Sequence, residues 1–73
     1  MGKWQNDKIE KLKLHYKQFN LPSDQIIKDQ EVLENFTSWF NTKFVKDEHF
    51  NRKEVADQLL RLRKAGNLPR LRT

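Results

Sequence analysis

The residues with the clearest capacity for chemistry lie between Asn51 and Thr73. Seven of them are basic (Arg52, Lys53, Arg61, Arg63, Lys64, Arg70 and Arg72) and two are acidic (Glu54 and Asp57). Residues 1–50 hold eight Lys against eight acidic side chains, so the formal charge of +5 resides entirely at the C-terminal end. Clustered cations neutralise phosphates, and a neutral body with a basic end points to a nucleic-acid partner. Arg and Lys can bond phosphates or guanine edges, and Gln can bond adenine. Arg52, Lys53, Gln58, Arg61 and Lys64 are therefore the candidate contacts on a helix, with Arg61 and Lys64 foremost. Arg70 and Arg72 can follow the phosphate backbone or enter a minor groove. The plainer alternative is a solvated basic face whose last cations favour the helix dipole.

The remainder offers little catalytic chemistry. Only two histidines are present, His15 and His49. His15 is expected on the outer side of its helix and His49 in a polar loop. Asp47-Glu48-His49 makes a poor metal site, because adjacent residues rarely converge on one ion and zinc ligands come from spaced pairs. No nucleophile is set beside a base, and neither a Gly-rich phosphate loop nor an H-E-x-x-H pattern occurs. Asn35-Phe36-Thr37 matches the glycosylation pattern, but no signal-peptide core accompanies it and the match is expected to be chance. No enzyme activity, cofactor or metal is expected.

A chain of 73 residues makes one small domain of limited stability. Cysteine is absent, which removes disulfides and thiolate metal sites. No apolar run approaches the roughly 20 residues of a membrane span. The expectation is an intracellular protein, cytoplasmic or at the nucleoid or nucleus. Charged residues make up 34% and hydrophobic ones 36%, a balance close to that of disordered chains, but eight aromatics can build a compact core. With two Gly and two Pro the chain has few breaks and is expected to be mostly helix.

The elements that position the basic residues follow from local chemistry. Asn51 is a good N-cap, and Glu54, three residues on, can complete a capping box. Phe50 and Val55 can form a hydrophobic staple across the same helix start. Gly66 can adopt the left-handed C′ conformation, with Leu68 folding back onto Leu62 and Pro69 preventing resumption. On this last helix Val55, Ala56, Leu59, Leu60 and Leu62 make the apolar side. Arg63 falls within that side and must either extend past the helix end or pair with an acid of the middle helix.

Upstream, Ile9, Leu12, Tyr16 and Phe19 recur at helical steps, with Leu14 on the opposite face and Trp4 folding back from before the helix. Asn20-Leu21-Pro22 ends this segment. Ser23 or Asp24 is a candidate cap for a short turn, and Asp29 for a long helix beyond. In that long helix Val32, Leu33, Phe36, Trp39, Phe40 and Phe44 form one broad stripe, which makes it the expected centre of the core. The predicted domain spans 1–73 as an all-α unit of three main helices with a helix-turn-helix-like plan. The helices cover about 6–19, 30–44 and 52–65, with a short turn at about 23–28 and a basic tail at 67–73.

Lys3-Trp4, the polar turn after it and Ile9-Glu10-x-Leu12-x-x-x-Tyr16 resemble the opening of Myb/SANT-like helix-turn-helix domains. Those begin with a Trp, a cap and an amphipathic helix. Phe50-Asn51-Arg52-Lys53-Glu54-Val55 through Leu59 and Leu62-Arg63 to Gly66 is similar to their recognition helix, in which buried Val and Leu alternate with basic residues. The resemblance covers the two ends of the chain. It implies sequence-specific duplex DNA binding through the last helix, and a transcription-regulatory role is a further expectation.

A second expectation concerns the aromatic helix. Phe36, Trp39, Phe40 and Phe44 form a large set for one small core, and Leu14, Leu60 and Leu71 fit it poorly. Any surplus would form a surface for a protein partner or a homodimer. The alternative is that these side chains fill the core.

Overall fold

The structure is a computed structural model and describes residues 4–69. It is an all-α domain. Helix α1 spans Asn6–Phe19, α2 Ser23–Lys28, α3 Gln30–Asn41 and α4 Arg52–Lys64, with one 3-10 turn at Lys46–Glu48 between α3 and α4. Among the described residues no helix is long and apolar enough to cross a membrane.

Each boundary has a local cause. Helix α1 ends where Asn20 enters the left-handed region (φ 59°), which Asn tolerates better than most residues. Its N–H still reaches the Tyr16 carbonyl at 3.1 Å. Pro22 occupies the cap position of α2, and Ser23 is already helical, so neither Ser23 nor Asp24 caps as expected. Proline suits a helix start because its missing N–H would be unpaired there. Asp29 is the single residue between α2 and α3. Its backbone is extended, and its carboxylate accepts from the N–H groups of Glu31 (3.0 Å) and Val32 (3.3 Å).

Helix α3 stops at Asn41, three residues short of the expected end at 44. The chain tightens into three-residue turns over Thr42, Lys43 and Phe44. The Thr42 hydroxyl donates to the Trp39 carbonyl at 2.6 Å, supplying a partner for the helix end. The Asn41 side chain is committed elsewhere. Its Nδ2 donates to the Phe50 carbonyl and its Oδ1 accepts from the Phe50 N–H, both at 2.8 Å. This two-pronged bond fastens the start of α4 to the end of α3.

The core comprises Leu12, Tyr16, Ile26, Leu33, Phe36, Phe40, Phe50, Val55, Leu59 and Leu62. Phe36 and Phe40 are fully buried, so α3 is its centre. Trp4 folds back as expected, stacking on Phe50 with ring centroids 4.0 Å apart. Two expectations fail. Trp39 is 53% exposed rather than core, and His15 is 1% exposed rather than outward. Both lie on the flanks of their helices' apolar stripes. His15 can be buried because its Nε2–H donates to the Phe36 carbonyl at 3.1 Å. Its ring meets Phe36 edge-on at 4.5 Å, and Trp39 covers it from outside at 5.2 Å.

Candidate nucleic-acid interface

The basic helix is fixed at both ends. At its start the Asn51 side chain accepts from the Glu54 N–H (2.8 Å), and the Glu54 carboxylate accepts from the Asn51 N–H (2.9 Å). Phe50 and Val55, on either side of this capping box, are both buried. At its end the Asn67 N–H reaches the Leu62 carbonyl at 2.8 Å, and the Gly66 N–H reaches Arg63 at 3.1 Å. With Gly66 at φ 71° these bonds make a Schellman motif. Leu68 packs against the core just beyond.

Val55, Gln58, Leu59 and Leu62 face inward and set the rotation of α4 about its axis. Four of the expected contacts, Arg52, Lys53, Arg61 and Lys64, are consequently exposed. Among the described residues none of the four makes an ion pair. Lys53 and Lys64 are eleven residues apart, close to three whole turns, and share one stripe roughly 16 Å long. Arg52 and Arg61 lie about half a turn apart, on opposite edges of the exposed face. Ala56, Asp57 and Leu60 occupy the strip between those edges. Arg52 and Lys53 also line a shallow groove of about 300 Å³ with Ile27, Gln30 and Leu33.

Gln58 requires a correction. Only 8% of it is exposed, so it cannot present its amide to a base edge. The buried positions of α4 recur every three to four residues, and 58 falls among 55, 59 and 62. Arg63 also differs from expectation. It pairs with Asp24 of the short helix α2, not with an acid of α3. Both partners are about half exposed, so this pair contributes less than about 1 kcal/mol. Arg70 and Arg72 lie outside the described residues.

Elsewhere Lys8 and Lys13 make ion pairs, whereas Lys17, Lys28, Lys43 and Lys46 are exposed and, like the four exposed α4 cations, make none among the described residues. Lys8 pairs with Glu48 at 3.8 Å and lies 5.8 Å from the Phe50 ring centroid. Lys13 pairs with Glu10 at 3.0 Å. Among the described residues no group of three or more acidic or histidine side chains could hold a metal ion. Burial pushes the pKa of His15 below its ordinary value. The Phe36 carbonyl opposes that shift and the positive charge of Lys43 adds to it.

The sequence placed Trp39 in the core stripe and also within the aromatic set that could exceed the core, without singling it out as the exposed member. The available signal was its flank: Asn35 and Lys43, one turn to either side, are both polar and both exposed. Comparison with protein-family profiles, curated proteins and solved structures returns no match to this chain.

Proposed function

We propose that this chain is a small, non-enzymatic DNA-binding domain that engages duplex DNA through the exposed face of α4, within the cell. The observation that carries this reading is that Arg52, Lys53, Arg61 and Lys64 stand exposed and unpaired on one rigidly capped helix, while the charges of residues 1–50 cancel. The likeness of the chain's two ends to Myb/SANT-like domains supports it. In those domains the last of three helices enters the major groove. Arg70 and Arg72 would add backbone contacts, and a transcription-regulatory role is part of this proposal.

The test is titration of a random duplex at two salt concentrations, beside an Arg61→Ala/Lys64→Ala variant. Phosphate neutralisation predicts a steep loss of affinity with salt and a shallower slope in the variant. Absence of binding at low salt would remove this reading.

One observation favours a second reading. A Trp that is 53% exposed, beside the exposed Lys43, suits a protein partner. In that case binding would change little with salt and would depend on Trp39 rather than on Arg61 and Lys64.

A further inference from the structure

We infer that α4 engages duplex DNA through the phosphate backbone and discriminates little between base sequences. This inference rests on the reading of α4 as a DNA-binding helix.

Sequence is read by side chains that reach base edges, mainly Arg on guanine and Asn or Gln on adenine. Each amide on or beside α4 is removed from that task. Gln58 is buried. The Asn51 Oδ1, which a bidentate bond to adenine requires, already accepts from the Glu54 N–H at 2.8 Å. Asn67 is exposed, but its backbone closes the Schellman turn three residues past the last residue of α4, off the helix face. Arg63 pairs with Asp24, a surface contact that competes only weakly with DNA, and it lies beside Arg52 at the same edge of the helix. The free arginines on the helix, Arg52 and Arg61, lie on its opposite edges instead of along its middle.

That distribution matches the walls of a groove, not its floor. A helix with its side chains is about 10–12 Å across, and the major groove of B-form DNA is about 12 Å wide. A helix seated there has a phosphate strand on each side, where Arg52 and Arg61 would stand. The middle strip offers Lys53, Ala56, Asp57, Leu60 and Lys64. The lysines are point charges without the fork that fixes a base pair. Asp57 repels phosphate from the centre and so pushes the contacts to the edges. The same geometry selects against duplex RNA, whose deep, narrow major groove does not admit a helix.

The experiment has two arms. First, a random-sequence duplex pool is put through rounds of binding and sequenced. Second, affinities are measured on three unrelated DNA duplexes and on an RNA duplex of matched length, for the native chain and for Arg52→Ala, Arg61→Ala and Asp57→Asn. The expected result is no enriched motif and DNA affinities within about 3-fold of one another, because phosphate contacts carry no sequence information. RNA should bind about 10-fold or more weakly. Each Arg variant should weaken all three DNA duplexes alike and lower the salt slope by about one. Asp57→Asn should strengthen all three alike. An enriched motif that binds about 100-fold tighter than unrelated duplexes would overturn the inference while leaving α4 a DNA-binding helix. So would an Arg variant whose loss falls on one sequence alone. Failure to bind any duplex at low salt would overturn both this inference and the reading beneath it.

Discussion

His15 is a buried base enclosed by rings, and its chemistry sets a pH dependence. Its folded-state pKa lies below the unfolded value of about 6.5, chiefly because burial penalises the charged ring. The unfolded chain therefore takes up the proton first as pH falls. The contribution of His15 to stability is complete above about pH 6.5 and is lost as pH falls from there toward the lowered folded value. Urea melts of the native chain and of His15→Leu at pH 8, 6 and 5 should show a larger acid loss in the native chain. Parallel losses would mean that other groups carry the effect. Gly66 gives a second residue-scale prediction. A Cβ there would meet nothing within 4 Å, so the cost of Gly66→Ala comes from φ 71° alone and should be about 1 kcal/mol. A neutral result in the same melts would show that the helix end can relax.

At the scale of elements, the inward and outward faces of α4 allow stability to be tested apart from the proposed binding. Its inward residues hold it to α2 and α3, and Arg52, Lys53, Arg61 and Lys64 are exposed and make no ion pair among the described residues. Arg61→Ala with Lys64→Ala should leave stability within about 0.5 kcal/mol of the native value, while DNA affinity falls. Unfolding of this variant would assign those side chains to structure. The limits of α4 were legible in the sequence because they rest on neighbours in the chain: Asn51 with Glu54, and Gly66 before Leu68. What was not legible depends on partners distant in sequence. Arg63 meets Asp24 across 39 residues, and His15 meets the Phe36 carbonyl across 21. A pattern of polar and apolar residues cannot show that a carbonyl waits opposite a histidine. Gln58 failed for a different reason: its type suggested base recognition, but its helical phase, one turn from Val55 and Leu62, already placed it inward.

At the scale of the whole molecule, charge and core are segregated. The aromatic centre on α3 holds the helices together, and the basic helix lies to one side of it. Small domains of this kind are stable by only a few kcal/mol, so each core ring matters. Trp39 stands apart from that set. Truncating a buried Trp costs about 3–5 kcal/mol. At 53% exposure Trp39→Ala should cost well under that, on the order of 1 kcal/mol, in a chemical melt followed by circular dichroism. A loss of 3 kcal/mol or more would return Trp39 to the core. It would also remove the main support for a protein-binding surface.

The Asn41 clamp also has a consequence for how this chain can tolerate change. Because one amide bonds both backbone groups of Phe50, the start of α4 is tied directly to the end of α3, in addition to the core packing of Val55, Leu59 and Leu62. The stretch from 42 to 49 is then a place where insertions can accumulate without re-aiming the basic helix. Doubling a flexible loop costs only about 0.6 kcal/mol. A Gly-Ser insert between Lys46 and Asp47 should leave both the fold and DNA affinity close to native. The same insert made together with Asn41→Ala should be tolerated less well, since core packing alone would then fix the start of α4 against α3. Such a loop could carry a dye, a peptide tag or a second domain, with the clamp as the fixed point behind it.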